Sequence, residues 1–388
     1  MVILFDLFTP QCQIGGAGEY IRRVFYTLCD TIHKSEAYRN VKVYALIDSS
    51  YGKYAYSDLT PDALLIQGVE CVDISKSSLK EILEEYHVDK VFIGCAQYWG
   101  AKYDIASLNI PVVCIVHDLC EEEYQSNNIN DYVKIGKFCE YLRWKFYIFR
   151  KGNKGLKRLP PIINQAKKNT KFEIVCVSDY SKNSLIYNFN FPTERIYVLY
   201  SPLRINTSKQ EIDNKTLCDL IKDNKKYYLF LNANRIFKNP HKAFNAFEKY
   251  VECGHHDMYI VTTGCKEKKF KNHIPLGYLS DNDLDQLMRH CYALLFPTFM
   301  EGFGYPPIEA MRYGKPVICS NVTSVPEICG DAAIYFSPLY ESDIFRALSV
   351  LTSSNYDEYV AKSKARYHQV SERQKTDLNE LIKMILRK

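Results

Sequence analysis

The sequence predicts an α/β protein built as two doubly wound domains followed by a C-terminal helix. Three observations predict it. Short, unbroken apolar runs alternate with amphipathic stretches along the chain, the pattern of parallel strands buried on both faces. The length of 388 residues exceeds what one core serves and suggests about two domains. A polar stretch rich in turn formers, SPLRINTSKQEIDNK at 201–215, separates two series of such elements.

In the first series the strands are expected at Val2–Phe8, Val41–Ile47, Val91–Cys95, Val112–Val116, Phe172–Val177 and Arg195–Leu199. Helical patterns such as Glu19–Ile32 and Ser78–Tyr86 lie between them. The second series has strands at Tyr227–Leu231, Met258–Thr262, Tyr292–Phe296, Pro316–Cys319 and Ala332–Phe336. Its helices include Lys242–Glu252, Asp283–Cys291 and Ser342–Thr352. After about residue 355 the chain is polar and helical, with Leu378, Leu381, Ile382, Ile385 and Leu386 at helix spacing. The expected divisions are 1–200, 201–365 and a returning helix at 366–388, which packs back on the N-terminal domain. Open α/β sheets take ligands beyond the carboxyl ends of their strands, so two such domains face to face would form a cleft there.

Composition sets the class. Hydrophobic residues make up 47% and charged residues 24%, ordinary for a globular protein. The 14 cysteines include no C-x-x-C pair, and Cys95, Cys114, Cys176 and Cys319 sit inside apolar strands. They read as reduced, buried thiols of a cytoplasmic protein. The opening MVILFDLF carries Asp6 inside an apolar run and has no basic lead, so it reads as a strand and not a signal peptide. No apolar run reaches the roughly 18 residues of a membrane span. One segment stands out: from Lys134 to Lys171 there are twelve Lys or Arg and one acid, Glu140, with aromatics interleaved. It reads either as a basic amphipathic surface for an anionic membrane or as a solvated helix packing its aromatics inward. No nucleic-acid motif accompanies the charge, so no nucleic-acid partner is expected.

The stretch from 296 to 327 holds the densest set of signals. An apolar strand runs into a turn with Glu301, Gly302 and Gly304, and Pro306 and Pro307 open a short helix that Gly314 ends. A strand, a glycine turn and a helix start make a place for an anion. Glu301 and Glu309 flank the turn. Upstream, Arg235 and Lys238 leave the first strand of the second series in a pattern suited to a diphosphate, Arg as a fork and Lys as a point charge. Gly15, Gly16 and Gly18 form a glycine cluster before a helix, which is not the dinucleotide fingerprint, and no P-loop occurs. His117-Asp118 ends a strand at a sheet's carboxyl edge. Asp281-Asn-Asp283 has the D-x-D form of a metal–nucleotide site, but following Ser280 it reads as a helix cap, and no metal is expected. Tyr98 and Trp99 read either as sugar-stacking rings or as core.

Together GYLSDNDL, FPTFMEGFGYPPIEAMRYGKPVICSN and SVPEICGDAA resemble the retaining GT-B glycosyltransferases of family 4, with GGAGEY, VHDL and VSDYSKNSL as supporting matches. The resemblance covers nearly the whole chain. Its E-x7-E signature falls on Glu301 and Glu309. It implies two Rossmann-like domains and a nucleotide-sugar donor, GDP- or UDP-linked, with no other cofactor. It implies that Glu309 bonds the donor ribose, and that Glu301 with the backbone of Gly302, Phe303 and Gly304 holds the transferred sugar. Arg235 and Lys238 would neutralise the departing diphosphate, although their spacing of three is tighter than the usual family loop. Leu279 would contact the nucleobase through its backbone, and Gly16 and His117 would close over the donor. The implied activity is metal-independent hexosyl transfer, mannose favoured, to a glycan or lipid-linked acceptor of surface polysaccharide synthesis, cytoplasmic or peripheral at the inner membrane face. The alternatives are a nucleotide-sugar epimerase of the same fold and a non-catalytic nucleotide-sugar or membrane-binding scaffold.

Overall fold

A computed structural model describes residues 1–12, 15–102, 108–119, 159–204 and 212–387, with Glu123 and Leu142. The described residues within Met1–Glu123, Lys154–Ile205 and Arg373–Lys388 form one compact unit, and those within Asn206–Glu372 form another.

The first unit is a parallel sheet of seven strands: β1 Val2–Asp6, β2 Lys42–Ile47, β3 Glu70–Asp73, β4 Lys90–Ile93, β5 Val112–Val116, β6 Phe172–Cys176 and β7 Ile196–Val198. Their spatial order is β3-β2-β1-β4-β5-β6-β7. The chain winds outward from β1 in one direction, then returns to β4 and winds outward in the other. The loops after β1 and β4 therefore meet at the point where the order reverses. The central strands β4 and β5 are buried along their whole length, as their continuous apolar runs require. β3 lies outside the expected strands. It is an edge strand of four residues whose sequence, ECVD, is mostly half-exposed or exposed, so no apolar run marks it.

The second unit repeats the plan with six strands: β8 Tyr227–Phe230, β9 Tyr259–Thr262, β10 His273–Pro275, β11 Ala293–Phe296, β12 Val317–Ser320 and β13 Ala333–Phe336. The order is β10-β9-β8-β11-β12-β13, again with a reversal between the first and fourth strands in sequence. β10 also lies outside the expected strands, being a three-residue edge strand that begins with a histidine. That histidine is fully buried. His273 Nδ1 accepts from the Lys269 amide at 3.1 Å, and Nε2 donates to Thr262 Oγ1 at 2.8 Å. Burial, with Lys269 and Lys268 adding to it, pulls its pKa down to about 4.

The last helix runs unbroken from Tyr356 to Leu386, in keeping with the helical pattern after about residue 355 and beginning ahead of the division expected at 366. Its first part belongs to the second unit: Ser363 Oγ donates to Lys315 O at 2.9 Å, and Arg366 Nε donates to Ile328 O at 2.8 Å. Its last part completes the first unit, burying Leu378, Leu381, Ile382 and Ile385. There Asp377 accepts from the Tyr200 amide at 2.8 Å, and Lys90 Nζ donates to Met384 O at 2.9 Å. Among the described residues no helix is long and apolar enough to cross a membrane. The membrane surface expected at 134–171 falls, for residues 134–158 other than Leu142, outside the described residues.

Candidate functional site

In the second unit the reversal point brings together the loop after β8 and the loop after β11. The first loop takes two left-handed residues, Asn232 (φ 54°) and Asn239 (φ 57°), a conformation asparagine tolerates better than most residues. Between them a single tight turn, Ile236–Lys238, aims Lys238 inward, and Pro240 opens the next helix. The second loop carries Glu301. The Lys238 ammonium donates to Glu301 Oε1. Both side chains are largely out of water, 11% and 17% exposed. The ammonium also lies 4.5 Å from the centre of the Phe296 ring, a further favourable contact for a cation.

The turn 301–304 is held from two sides. The Glu301 amide donates to Thr323 Oγ1 at 3.2 Å, and the buried Ser324 hydroxyl lies 3.1 Å from both Glu301 O and Phe303 O. Gly304 adopts φ 98°, a conformation that favours glycine, and caps the helix Tyr305–Arg312. Glu309 sits half-buried on that helix. Pro306 and Pro307 lie at the helix's first positions and carry no N–H. The helix start therefore presents fewer donors than its dipole suggests. The strand–turn–helix pattern thus offers an anion fewer backbone donors than the sequence alone implies.

Arg235 is exposed at the mouth of the first loop. Leu279 is half-buried and precedes Ser280, whose hydroxyl caps the helix Asp281–His290 through the Asp283 amide at 3.1 Å. Asp283 Oδ1 accepts from the Asp213 amide at 3.0 Å, and Asp285 is held by Tyr313 and Arg289. The D-x-D segment thus follows the capping reading.

In the first unit the corresponding reversal point is occupied by Asp6, at the end of β1. It is buried, and its carboxylate accepts from the amides of Phe8 (2.8 Å) and Gly94 (3.2 Å) and from Trp99 Nε1 (2.7 Å). Burial pushes its pKa up to about 6 against the pull of these donors. Trp99 is fully buried, so it is core and does not stack on a sugar. A Cβ on Gly94 would stand 2.4 Å from Ile21 Cγ1, so the absence of a side chain lets the helix Gly16–Lys34 lie close to β4. His117 follows β5. Its Nε2 lies 2.9 Å from Gly94 O, and its ring meets Tyr20 edge-on at 4.9 Å. A carbonyl only accepts, so Nε2 carries the proton and Nδ1 is the acceptor of the neutral ring. Burial lowers the pKa and keeps the ring neutral. Gly16 opens its helix one residue after Gly15, whose amide donates to Tyr56 OH at 3.4 Å. Arg22 on the same helix grips Asp58 at 2.6 Å.

Lys238 and Glu301 carry separate roles in the sequence, and no local pattern announces their pairing. Asp6 stands out there only as a charge within an apolar run. That charge is the available signal, since a carboxylate in a buried strand needs partners. Thr298, Thr323 and Ser324 belong to no motif that would single them out.

Residues 213–338 match the family model described as glycosyl transferases group 1. The O-antigen chain mannosyltransferase B of Escherichia coli is 30% identical over 191 residues, 42% of this chain and 47% of that protein. The O-antigen chain mannosyltransferase RfbU of Salmonella typhimurium is 28% identical over 207 residues, 49% of this chain and 55% of that protein. The chain thus spans about half the length of these curated relatives. Among solved structures, HepE of Anabaena in complex with UDP-glucose aligns with a TM-score of 0.64 at 18% identity, over 100% of this chain and 99% of that one. WaaG, a glycosyltransferase involved in lipopolysaccharide biosynthesis, aligns at 0.61 and 16% identity over 100% of both chains. The fold is therefore the two-domain GT-B fold of these solved structures, and residues 213–338, which contain Lys238, Glu301 and Glu309, match the model of the glycosyl transferases group 1 family.

Proposed function

We propose that this chain is a retaining hexosyltransferase. It moves a sugar, mannose favoured, from a nucleoside diphosphate donor to a glycan or lipid-linked acceptor of surface polysaccharide, at the cytoplasmic leaflet and without a metal. The observation that carries this reading is the Lys238–Glu301 pair at the reversal point of the second sheet, within the segment that matches the family model. The two mannosyltransferases of O-antigen chains among its relatives favour mannose, and with it a GDP-linked donor.

The difficult step is breaking the bond between the sugar's anomeric carbon and the diphosphate oxygen, which leaves negative charge on the diphosphate. Fixed cations stabilise that charge with little reorganisation. Lys238 and Arg235 fill this role, aided by the dipole of the Tyr305–Arg312 helix. Glu309 takes the ribose hydroxyls, and Leu279 the nucleobase through its backbone. Glu301, with the backbone of Gly302, Phe303 and Gly304, takes the hydroxyls of the transferred sugar. In the N-terminal unit, the neutral ring of His117 presents an unprotonated Nδ1 as a hydrogen-bond acceptor, beside the helix that Gly16 opens. The acceptor oxygen bonds to the anomeric carbon on the face the diphosphate leaves, and its proton passes to a diphosphate oxygen.

A thermal-shift panel of GDP, UDP, GDP-mannose and UDP-glucose tests the donor, because a ligand that binds only the folded state raises the melting temperature. Mass spectrometry of an acceptor incubated with the stabilising donor then tests transfer. A donor epimerised by the enzyme alone, with no acceptor, would replace this reading with an epimerase.

A further inference from the structure

Thr298 is the second residue after β11 and is fully buried. Its hydroxyl lies 3.0 Å from Glu301 Oε1, 3.1 Å from Phe237 O and 3.0 Å from Met300 O. One hydroxyl has one proton to give. The Phe237 carbonyl already accepts from the Phe299 amide at 2.8 Å. A carboxylate is the stronger acceptor, since a charge-assisted bond has about twice the strength of a neutral one. The proton therefore belongs to Glu301 Oε1, the same oxygen that takes the Lys238 ammonium. Among the described residues, Oε2 of Glu301 has no hydrogen-bond partner.

We propose that Thr298 is the positioning residue of the donor site: its hydroxyl fixes Glu301 Oε1 against Lys238. This rests on the transferase reading above. With Oε1 committed to Thr298 and Lys238, Oε2 faces the sugar as the free acceptor. The ammonium, having given one N–H to Glu301, keeps two for the diphosphate. Sugar hydroxyl and phosphate are then gripped by a single rigid unit, and the distance between the two grips is set by the protein before the donor arrives. Such fixing matters because a small misplacement of a binding group slows the reaction far more than the strength of one hydrogen bond suggests.

The test compares Thr298→Val, which keeps the shape and removes the hydroxyl, with Thr298→Ser, which keeps the hydroxyl and removes the methyl. Thr298→Ala replaces the valine variant should that one not fold, as judged by its melting temperature. The expected result is a loss of about tenfold or more in kcat/KM for Thr298→Val, mostly in kcat, with Thr298→Ser within about threefold of the native enzyme. Equal losses in both variants, or no loss in Thr298→Val, overturn the proposal. If the native enzyme turns over none of the donors in the panel, the transferase reading is what has failed. Crystal structures of the two variants then decide the positioning role. Glu301 leaving Lys238 in Thr298→Val but not in Thr298→Ser supports it, and an intact pair in Thr298→Val overturns it.

Discussion

The Lys238 ammonium and the Glu301 carboxylate meet across the reversal point of the second sheet, one carried by the loop after β8 and the other by the loop after β11. They stand 63 residues apart in sequence, and each is mostly removed from water. Removing one partner of such a pair leaves the other as an uncompensated charge, which costs about 3–5 kcal/mol. Lys238→Met is expected to lower stability by about that amount in urea unfolding. The double variant Lys238→Met/Glu301→Gln should recover much of it, since no bare charge remains. On the proposed transferase reading both variants should lose about a hundredfold or more in kcat/KM, because the cation assigned to the diphosphate is gone in both.

The two units should respond to acid in opposite directions. Asp6 has its pKa raised from an ordinary 3.8 to about 6. Its folded form holds a proton that the unfolded chain gives up, so the first unit loses stability as pH rises through that window. His273 has its pKa lowered from 6.5 to about 4. The unfolded chain takes up the proton more readily, so the second unit loses stability as pH falls through nearly the same window. Each effect amounts to about 3 kcal/mol. Hydrogen exchange, corrected for intrinsic rates, should show protection in β1 and β4 growing from pH 6.5 to pH 4 while protection in β8 and β9 declines. Parallel behaviour of the two sheets would contradict these assignments.

His117 is expected to be neutral and protonated on Nε2 at pH 7, since Gly94 O only accepts and burial lowers its pKa. Nitrogen NMR of the labelled ring should show a bare Nδ1 and a titration midpoint below 6.5. A midpoint above 6.5 would contradict the downward shift, and one above 7 would mean that the ring is mostly charged at neutral pH.

Gly94→Ala should be costly out of proportion to its size. The added methyl carbon would stand 2.4 Å from Ile21 Cγ1 and 2.5 Å from its Cδ1, and Ile21 is fully buried. Overpacking of this kind costs about 1–3 kcal/mol. Ile21→Val in the same chain removes Cδ1 and should return part of that stability, read as a recovery in denaturation midpoint.

The central strands of both sheets were legible because a strand covered on both faces must be apolar throughout. Val112–Val116 agrees residue for residue with its expected range. β3 and β10 were not legible, since an edge strand of three or four residues has no such obligation. The glutamates of the candidate site stood out through their spacing around a glycine turn. Their partners did not. Lys238 reaches Glu301 only because β8 and β11 are neighbours, and strand adjacency at a reversal point is a property of topology that local sequence does not encode. Trp99 was ambiguous for a related reason: a buried indole and a sugar platform use the same residue. Its full burial, with Nε1 donating to the Asp6 carboxylate, decides between them.

The helix Tyr356–Leu386 has a consequence for the order in which the chain is made. Most of the first unit is made before the second, yet its core includes Leu378, Leu381, Ile382 and Ile385. Those side chains are synthesised only after the whole second unit. The early sheet must therefore wait, with the apolar ground that this segment covers still exposed, while its successor is translated. A fragment cut at the linker near residue 204 would remain in that waiting state and would precipitate or call on chaperones. The same fragment supplied with a peptide of residues 356–387 should become soluble.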